Sequence, residues 1–235
     1  MELQKLTDRI SYLPAKAELE YPVLGYVRGE RFSLAVDAGY SARHLGIFYS
    51  ELERAGLKKP DFTALTHWHC DHSFGLHAAS GLGIAHTLTN AKLKDHVTKS
   101  ASMPGYREFM MRDSFFSAEY RDAPIVVASA DIEFTDELTL DLGGVNARIF
   151  HVESPHTFDA VCVFVPEERV LFLGDAIYGD YQNNWVMTEP KLRSLIEMIE
   201  RTDCDICVAS HANPHSKESM LRYLYRKMEK AKAPA

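Results

Sequence analysis

The sequence has little cysteine, no long apolar run and no excess of positive charge, and each shortage excludes something. Four cysteines, Cys70, Cys162, Cys204 and Cys207, are too few and too scattered for a disulfide framework in 235 residues. Cys204 and Cys207 have C-x-x-C spacing, but no second pair completes a zinc knuckle and no helix is expected to begin at the first. They read as buried or idle thiols. No stretch reaches the roughly 18 apolar residues of a membrane span, and the longest runs, 160–165 and 170–173, have strand length. Met1 to Lys5 lack the apolar core of a signal peptide, so the expected compartment is cytoplasmic, with no membrane partner. A formal net charge of −7 argues against nucleic acid as a partner. The locally basic run 217–232 is patterned as the solvated face of a helix. No G-x-S-x-G elbow is present to supply a serine nucleophile.

What is there reads as one α+β domain over 1–235. Segments 8–13, 23–28 and 31–36 are rich in Val, Ile, Leu, Tyr and Phe and predict strands, with Gly29-Glu30 as a hairpin turn. Helical period over 40–55 places Leu45, Phe48 and Leu52 on one face, and Gly56 stops the helix. A strand ending near Leu65, a short helix over 73–79 and a strand at 83–85 follow. Residues 88–122 form a helical insertion, with helices over 91–98 and 106–120. The second carries Phe109, Met110, Phe115, Phe116 and Tyr120, enough apolar bulk to pack on the body, meet a homodimer partner or wall a substrate pocket. From 125 the pattern is β again, at 125–127, 132–134, 138–141, 146–151, 161–165 and 170–173. A helix over 189–201, a strand at 206–209 and a last helix over 217–230 close the chain. Two β-rich halves with helices outside them is an economical packing.

The chemistry concentrates in Thr66-His67-Trp68-His69-Cys70-Asp71-His72-Ser73-Phe74-Gly75. Three imidazoles and a carboxylate within six residues are a donor set that suits zinc and also accepts iron or manganese. On an extended strand end His67 and His69 would share a face, while Cys70 would point away. Three later residues sit where strands should end: His156 in a loop, Asp175 after 170–173 and His211 after 206–209. His86, His151 and His215 lie near these segments and could support them, whereas His44, His77 and His96 read as surface residues.

The order H-x-H-x-D-H, then His, then Gly-Asp, then His resembles the metallo-β-lactamase superfamily, from about Asp37 to His211. The resemblance implies a four-layer αββα sandwich with two divalent metal ions at one edge of its sheets. By motif, His67, His69 and His156 would hold the first metal. Asp71, His72 and His211 would hold the second, with Asp175 bridging and Asp37 supporting the ligand loop. The implied reaction is attack by a metal-bridging hydroxide on an ester, thioester or lactone carbonyl of a small-molecule substrate. Asp71 would assist the leaving group. Tyr178 is similar to a Tyr that lactonases of this superfamily place beside the metals, where it would donate to the oxyanion.

Departures from the pattern bear on substrate. Common zinc β-lactamases have Cys where this chain has Asp175, followed by a substrate-gripping Lys; here Ala-Ile-Tyr follows. The chain is therefore nearer the glyoxalase II and lactonase-like branch, although only one helix is predicted after His211 where type II glyoxalases add a helical domain. Rival readings are a phosphodiesterase or nucleotide hydrolase, which would need basic residues near the metals, and a mononuclear-iron oxidoreductase. A non-catalytic metal sensor is a weaker third.

Overall fold

Side-chain alternation decides the layering. In the computed structural model, which describes residues 1–232, the first sheet keeps its seven strands in chain order. Strands β1 (Gln4–Lys5), β2 (Ile10–Leu13), β3 (Leu24–Arg28) and β4 (Ser33–Val36) run antiparallel. Then β5 (Phe62–Ala64), β6 (Leu82–His86) and β7 (Ile132–Phe134) continue parallel to β4. The second sheet contains β8 (Glu137–Asp141), β9 (Asn146–His151), β10 (Val161–Val165), β11 (Val170–Gly174), β12 (Ile206–Ala209) and β13 (His215–Ser216). Its β11–β12 pair is parallel and its other pairs are antiparallel.

Val161, Val163 and Val165 of β10 face the other sheet and join Val27, Leu34, Val36, Ile84, Ile149 and Phe172 in one fully buried cluster. The alternate residues Cys162 and Phe164 face outward onto helices, with Leu195, Ile196, Ile199 and Leu224. The first sheet repeats the device. Leu24, Tyr26 and Ala35 turn outward onto Leu45, Phe48 and Leu52 of helix α1 (Ala42–Arg54). Each fully buried Val, Leu or Phe contributes about 1.5–3 kcal/mol of transfer free energy. Gly25 lets the sheets approach, because a Cβ there would stand 2.6 Å from Phe172 Cε1. These are the layers that the motif resemblance implied, helix, sheet, sheet, helix.

Capping residues set the helix ends. The Ser41 side chain accepts from His44 N–H at 3.2 Å to start α1, and Gly56 takes φ +69° just beyond it. After the short α2 (Cys70–Ser73) and a 3-10 turn (Phe74–Ala78), the insertion forms α3 (Thr87–Ser102), α4 (Tyr106–Met110) and α5 (Ser114–Tyr120). The single helix expected over 106–120 is broken because Asp113 caps a new start, accepting from Phe116 N–H at 2.8 Å. Phe116 and Tyr120 bury against Tyr40 and Phe74, and the Tyr120 hydroxyl donates to the Tyr40 carbonyl at 2.7 Å. Phe109 and Phe115 stay exposed. Helices α6 (Glu189–Arg201) and α7 (Lys217–Lys232) cover the second sheet.

The strand expected at 125–127 is absent, although the run is apolar. The Asn90 side-chain amide takes the place of a ladder partner nearby, accepting from Ala130 N–H at 2.7 Å and donating to its carbonyl at 3.1 Å. The parallel strands β4, β5, β11 and β12 all end at the same edge. There Val161 N–H donates to the Thr66 carbonyl at 2.7 Å and Val23 N–H to the Ser210 carbonyl at 2.6 Å, lacing the sheets together. Functional side chains gather on this edge because the chain must turn there.

Candidate metal centre

Strand β5 stops at Ala64, so no strand carries His67 and His69 to a common face. They converge by using different nitrogens. His67 Nε2 lies 2.9 Å from His69 Nδ1, and His156 Nε2 lies 3.0 Å from the same atom. The partners of the opposite nitrogens fix which lone pairs are free. His156 Nδ1–H donates to the Gly179 carbonyl at 2.7 Å. His67 Nδ1–H donates to Thr66 Oγ1 at 3.1 Å, and that hydroxyl donates onward to Asp37 Oδ2 at 2.9 Å. Three nitrogen lone pairs thus meet at one buried point. Burial, then neighbouring imidazoles, holds His67 well below the usual histidine range, and burial with the His156 ring holds His69 at about 3. Both are neutral, the form that binds a cation.

A second group stands beside the first. Asp71 Oδ2 lies 3.1 Å from His72 Nε2 and 3.2 Å from His211 Nε2. Asp175 Oδ2 is 3.6 Å from His72 Nε2, 3.4 Å from His211 Nε2 and 3.5 Å from His156 Nε2, so one oxygen faces both groups. Within each group the candidate donor atoms lie within 4.8 Å of one another. His72 Nε2 and Asp175 Oδ1 are buried with no hydrogen-bond partner among the described residues. Burial opposes charge on His211, but Asp175 and Asp71 outweigh it and lift its pKa to about 10. Burial likewise opposes ionisation of Asp71 and Asp175, yet the adjacent imidazoles hold both carboxyls well below their ordinary range. Two ionised carboxylates beside the unpartnered Nε2 of His72 make a setting that divalent cations would neutralise. Nitrogen and oxygen donors in two groups of this kind fit a dinuclear site.

The backbone supports this arrangement at a cost. Asp37 follows β4 with φ +67°, a strained conformation for a residue other than glycine. Its carboxylate accepts from Thr66 N–H at 2.7 Å and from His72 Nδ1–H at 2.8 Å, which turns His72 Nε2 toward the second group. Gly174, at φ +54°, lets β11 turn directly into Asp175; a Cβ there would lie 2.6 Å from Thr66 Cβ.

All seven residues singled out as ligands lie in the two groups. Tyr178 stands beside them, its ring 6.1 Å from that of His211 and 6.4 Å from that of His156. Cys70 packs away from the centre, against the cluster of Tyr40 and Phe74. Cys204 and Cys207 are buried, with sulfurs 4.0 Å apart. His86 and His151 stack at 4.6 Å and donate to or accept from backbone, so they brace loops. His215 is exposed. His44 corrects the sequence reading: it is wholly buried, stacked at 3.9 Å on Tyr21.

One residue escaped the sequence altogether. Buried Asp159 accepts from Trp68 N–H at 2.9 Å, from the Thr89 hydroxyl at 2.8 Å and from the Thr157 hydroxyl at 2.6 Å. It ties the His67–His69 turn to the His156 loop and to α3. No spacing rule marks such a residue, because two of its partners, Trp68 and Thr89, lie far away in the chain.

Comparison with known proteins agrees with this geometry. The family model described as "Metallo-beta-lactamase superfamily" matches residues 23–211. The human protein "Acyl-coenzyme A thioesterase MBLAC2" is 21% identical over 230 residues, covering 87% of this chain and 78% of that protein. Its Gallus gallus counterpart is 24% identical over 220 residues, covering 87% and 77%. Among solved structures, the DIM-1 metallo-beta-lactamase superposes with a TM-score of 0.70 at 18% identity, covering 98% of this chain and 97% of that one. A metallo-beta-lactamase from Pontibacter korlensis gives 0.65 at 16% identity, covering 97% and 98%. At such identities the solved structures speak to the fold alone.

Proposed function

The chain belongs to the metallo-beta-lactamase superfamily and is a metal-dependent hydrolase, and from that premise we propose a dinuclear enzyme that cleaves the thioester or ester carbonyl of a small acyl substrate. The observation that carries this reading is the place of Asp175 Oδ2, 3.4–3.6 Å from nitrogens of His72, His156 and His211. A single oxygen so placed suits a bridge between two cations. His67, His69 and His156 would hold one, and Asp71, His72 and His211 the other, with zinc the first choice for this donor set and iron or manganese the alternatives. When bound, the pair supplies Lewis acidity and a water acidic enough to act as nucleophile near neutral pH.

The chain's own groups do the rest. Tyr178 is half-buried, and burial followed by the Asp175 carboxylate pushes its phenol well above the ordinary range. It stays protonated and donates a hydrogen bond to the oxygen of the carbonyl under attack. Asp71, kept ionised beside His72 and His211, would orient the attacking water by accepting a hydrogen bond from it, and the proton that the water loses passes to the departing group. Water thus adds to the carbonyl carbon, the carbon–sulfur bond breaks, a carboxylate and a thiol leave, and the second proton of the water goes to solvent. A thiol with a pKa of about 8.5 departs far more easily than an alkoxide. That ease, and the thioesterase names of the related sequences, favour a thioester over a lactone.

The test is an assay of zinc-loaded protein on acyl-coenzyme A thioesters, a simple lactone and bis(4-nitrophenyl) phosphate. Thiol release faster than phosphodiester cleavage is expected. Phosphodiester cleavage alone, or oxygen uptake by iron-loaded protein without hydrolysis, would overturn the reading.

A further inference from the structure

We propose that Tyr181 and Trp185 form a platform for the apolar acyl chain of the substrate, beside the first group of histidines. The proposal rests on the hydrolase reading above and adds to it which acyl groups are selected. Residues 180–186 close a small hairpin, with Asp180 N–H donating to the Val186 carbonyl at 3.1 Å and Trp185 N–H to the Asp180 carbonyl at 2.7 Å. Its tip places two successive residues other than glycine in the left-handed region, Asn184 at φ +51° and Trp185 at φ +59°. A bulky side chain rarely occupies that region, and strain of this kind gathers at ligand-binding segments.

The strained tip serves exposure. Trp185 is 64% exposed and Tyr181 44%, where large aromatics ordinarily bury most of their surface. The two rings lie 6.3 Å apart. Tyr181 meets the His69 imidazole edge-on at 4.8 Å, so a group bound at the histidines has this shelf as its neighbour. From Tyr181 to Thr188 the chain carries no charged side chain, which suits an apolar group and gives an anionic one nothing to pair with.

The shelf is also tied to the centre. The Gly179 carbonyl accepts from His156 Nδ1–H at 2.7 Å. The Trp185 carbonyl oxygen packs so tightly on Gly179 that a Cβ there would lie 2.0 Å from it. The hairpin therefore has a fixed position relative to His156. An acyl chain laid along it keeps its carbonyl in register with the histidines.

The experiment compares wild type, Trp185→Ala, Tyr181→Ala and Trp185→Phe, each loaded with zinc. Calorimetry measures binding of decanoate and of acetate, and hydrolysis is measured on decanoyl and acetyl thioesters. Metal content and circular dichroism check that each variant is folded and loaded. The expected result is that wild type binds decanoate more tightly than acetate and that Trp185→Ala cuts this preference by about tenfold. Tyr181→Ala should cut it similarly, and Trp185→Phe, which keeps a flat ring, should restore most of it. An equal chain-length preference in wild type and Trp185→Ala, or none in wild type, would overturn the platform. Decanoate binding that depends on Trp185 without any thioester turnover would sink the hydrolase reading and leave the platform standing. Turnover with a chain-length profile indifferent to Trp185 would do the reverse.

Discussion

The Asp37 carboxylate accepts a hydrogen bond from His72 Nδ1 at 2.8 Å, and this contact decides which nitrogen of His72 faces the second group. Asp37 is held in a left-handed backbone conformation to make it. Asp37→Ala should therefore weaken metal binding by about 10- to 100-fold, chiefly at the second position. Zinc titration against a competing chelator measures this. Unchanged affinity would reduce Asp37 to a purely structural turn residue.

Asp175→Asn removes the charge from the oxygen shared by the two groups. Most of the turnover should vanish while the fold survives, with a melting shift near that of a 1 kcal/mol change, about 2–4 °C. Steady-state kinetics with thermal unfolding checks both halves. Near-native turnover would contradict a bridging role.

Tyr178→Phe should lower kcat by about 10²-fold with KM little altered, because its hydroxyl is asked to act on charge that appears only in the transition state. Kinetics on one thioester suffices. Unchanged kcat would return Tyr178 to packing beside His211.

Phe172 fills the space left by Gly25 between the sheets. Phe172→Ala should cost about 3–5 kcal/mol, read from urea unfolding. A loss below about 1 kcal/mol would mean that the two sheets do not depend on this contact.

His44 gives the chain a built-in acid sensitivity. Burial lowers its pKa from 6.5 to about 3, so it is neutral in the fold while the unfolded chain binds a proton below pH 6.5. The stabilisation is fully present above pH 6.5 and is lost as pH falls toward 3, by up to about 1.4 kcal/mol per pH unit. Urea midpoints at pH 7.5 and 5.5 should differ more for wild type than for His44→Phe. Equal differences would show that His44 titrates freely.

Much of the centre was legible in the sequence because its residues follow strands that their apolar runs announce. Val161–Val165 and Ile206–Ala209 have the bounds that the pattern suggests, and Asp175 and His211 come directly after such runs. The seven candidate ligands are brought into one set only by the motif. Strand alternation predicts a shared face for His67 and His69, but β5 ends before them and it is ring-nitrogen choice that brings them together. Contacts distant in sequence stayed hidden. Asp159 reaches across to Trp68 and Thr89, and Asn90 replaces a strand partner for Ala130. His44, polar and in a helix, reads as surface until Tyr21 is seen to cover it. The Tyr181–Trp185 hairpin depends on two left-handed residues that no local signal demands.

In the proposed enzyme one carboxylate oxygen, Asp175 Oδ2, would join two metal positions into one hydrolytic centre. The most direct measurement is the metal content of protein equilibrated with zinc and freed of excess, by mass spectrometry of the native protein, for wild type and Asp175→Asn. Two zinc ions per wild-type chain and fewer than two in the variant are expected. One ion per chain in both proteins would contradict the bridge.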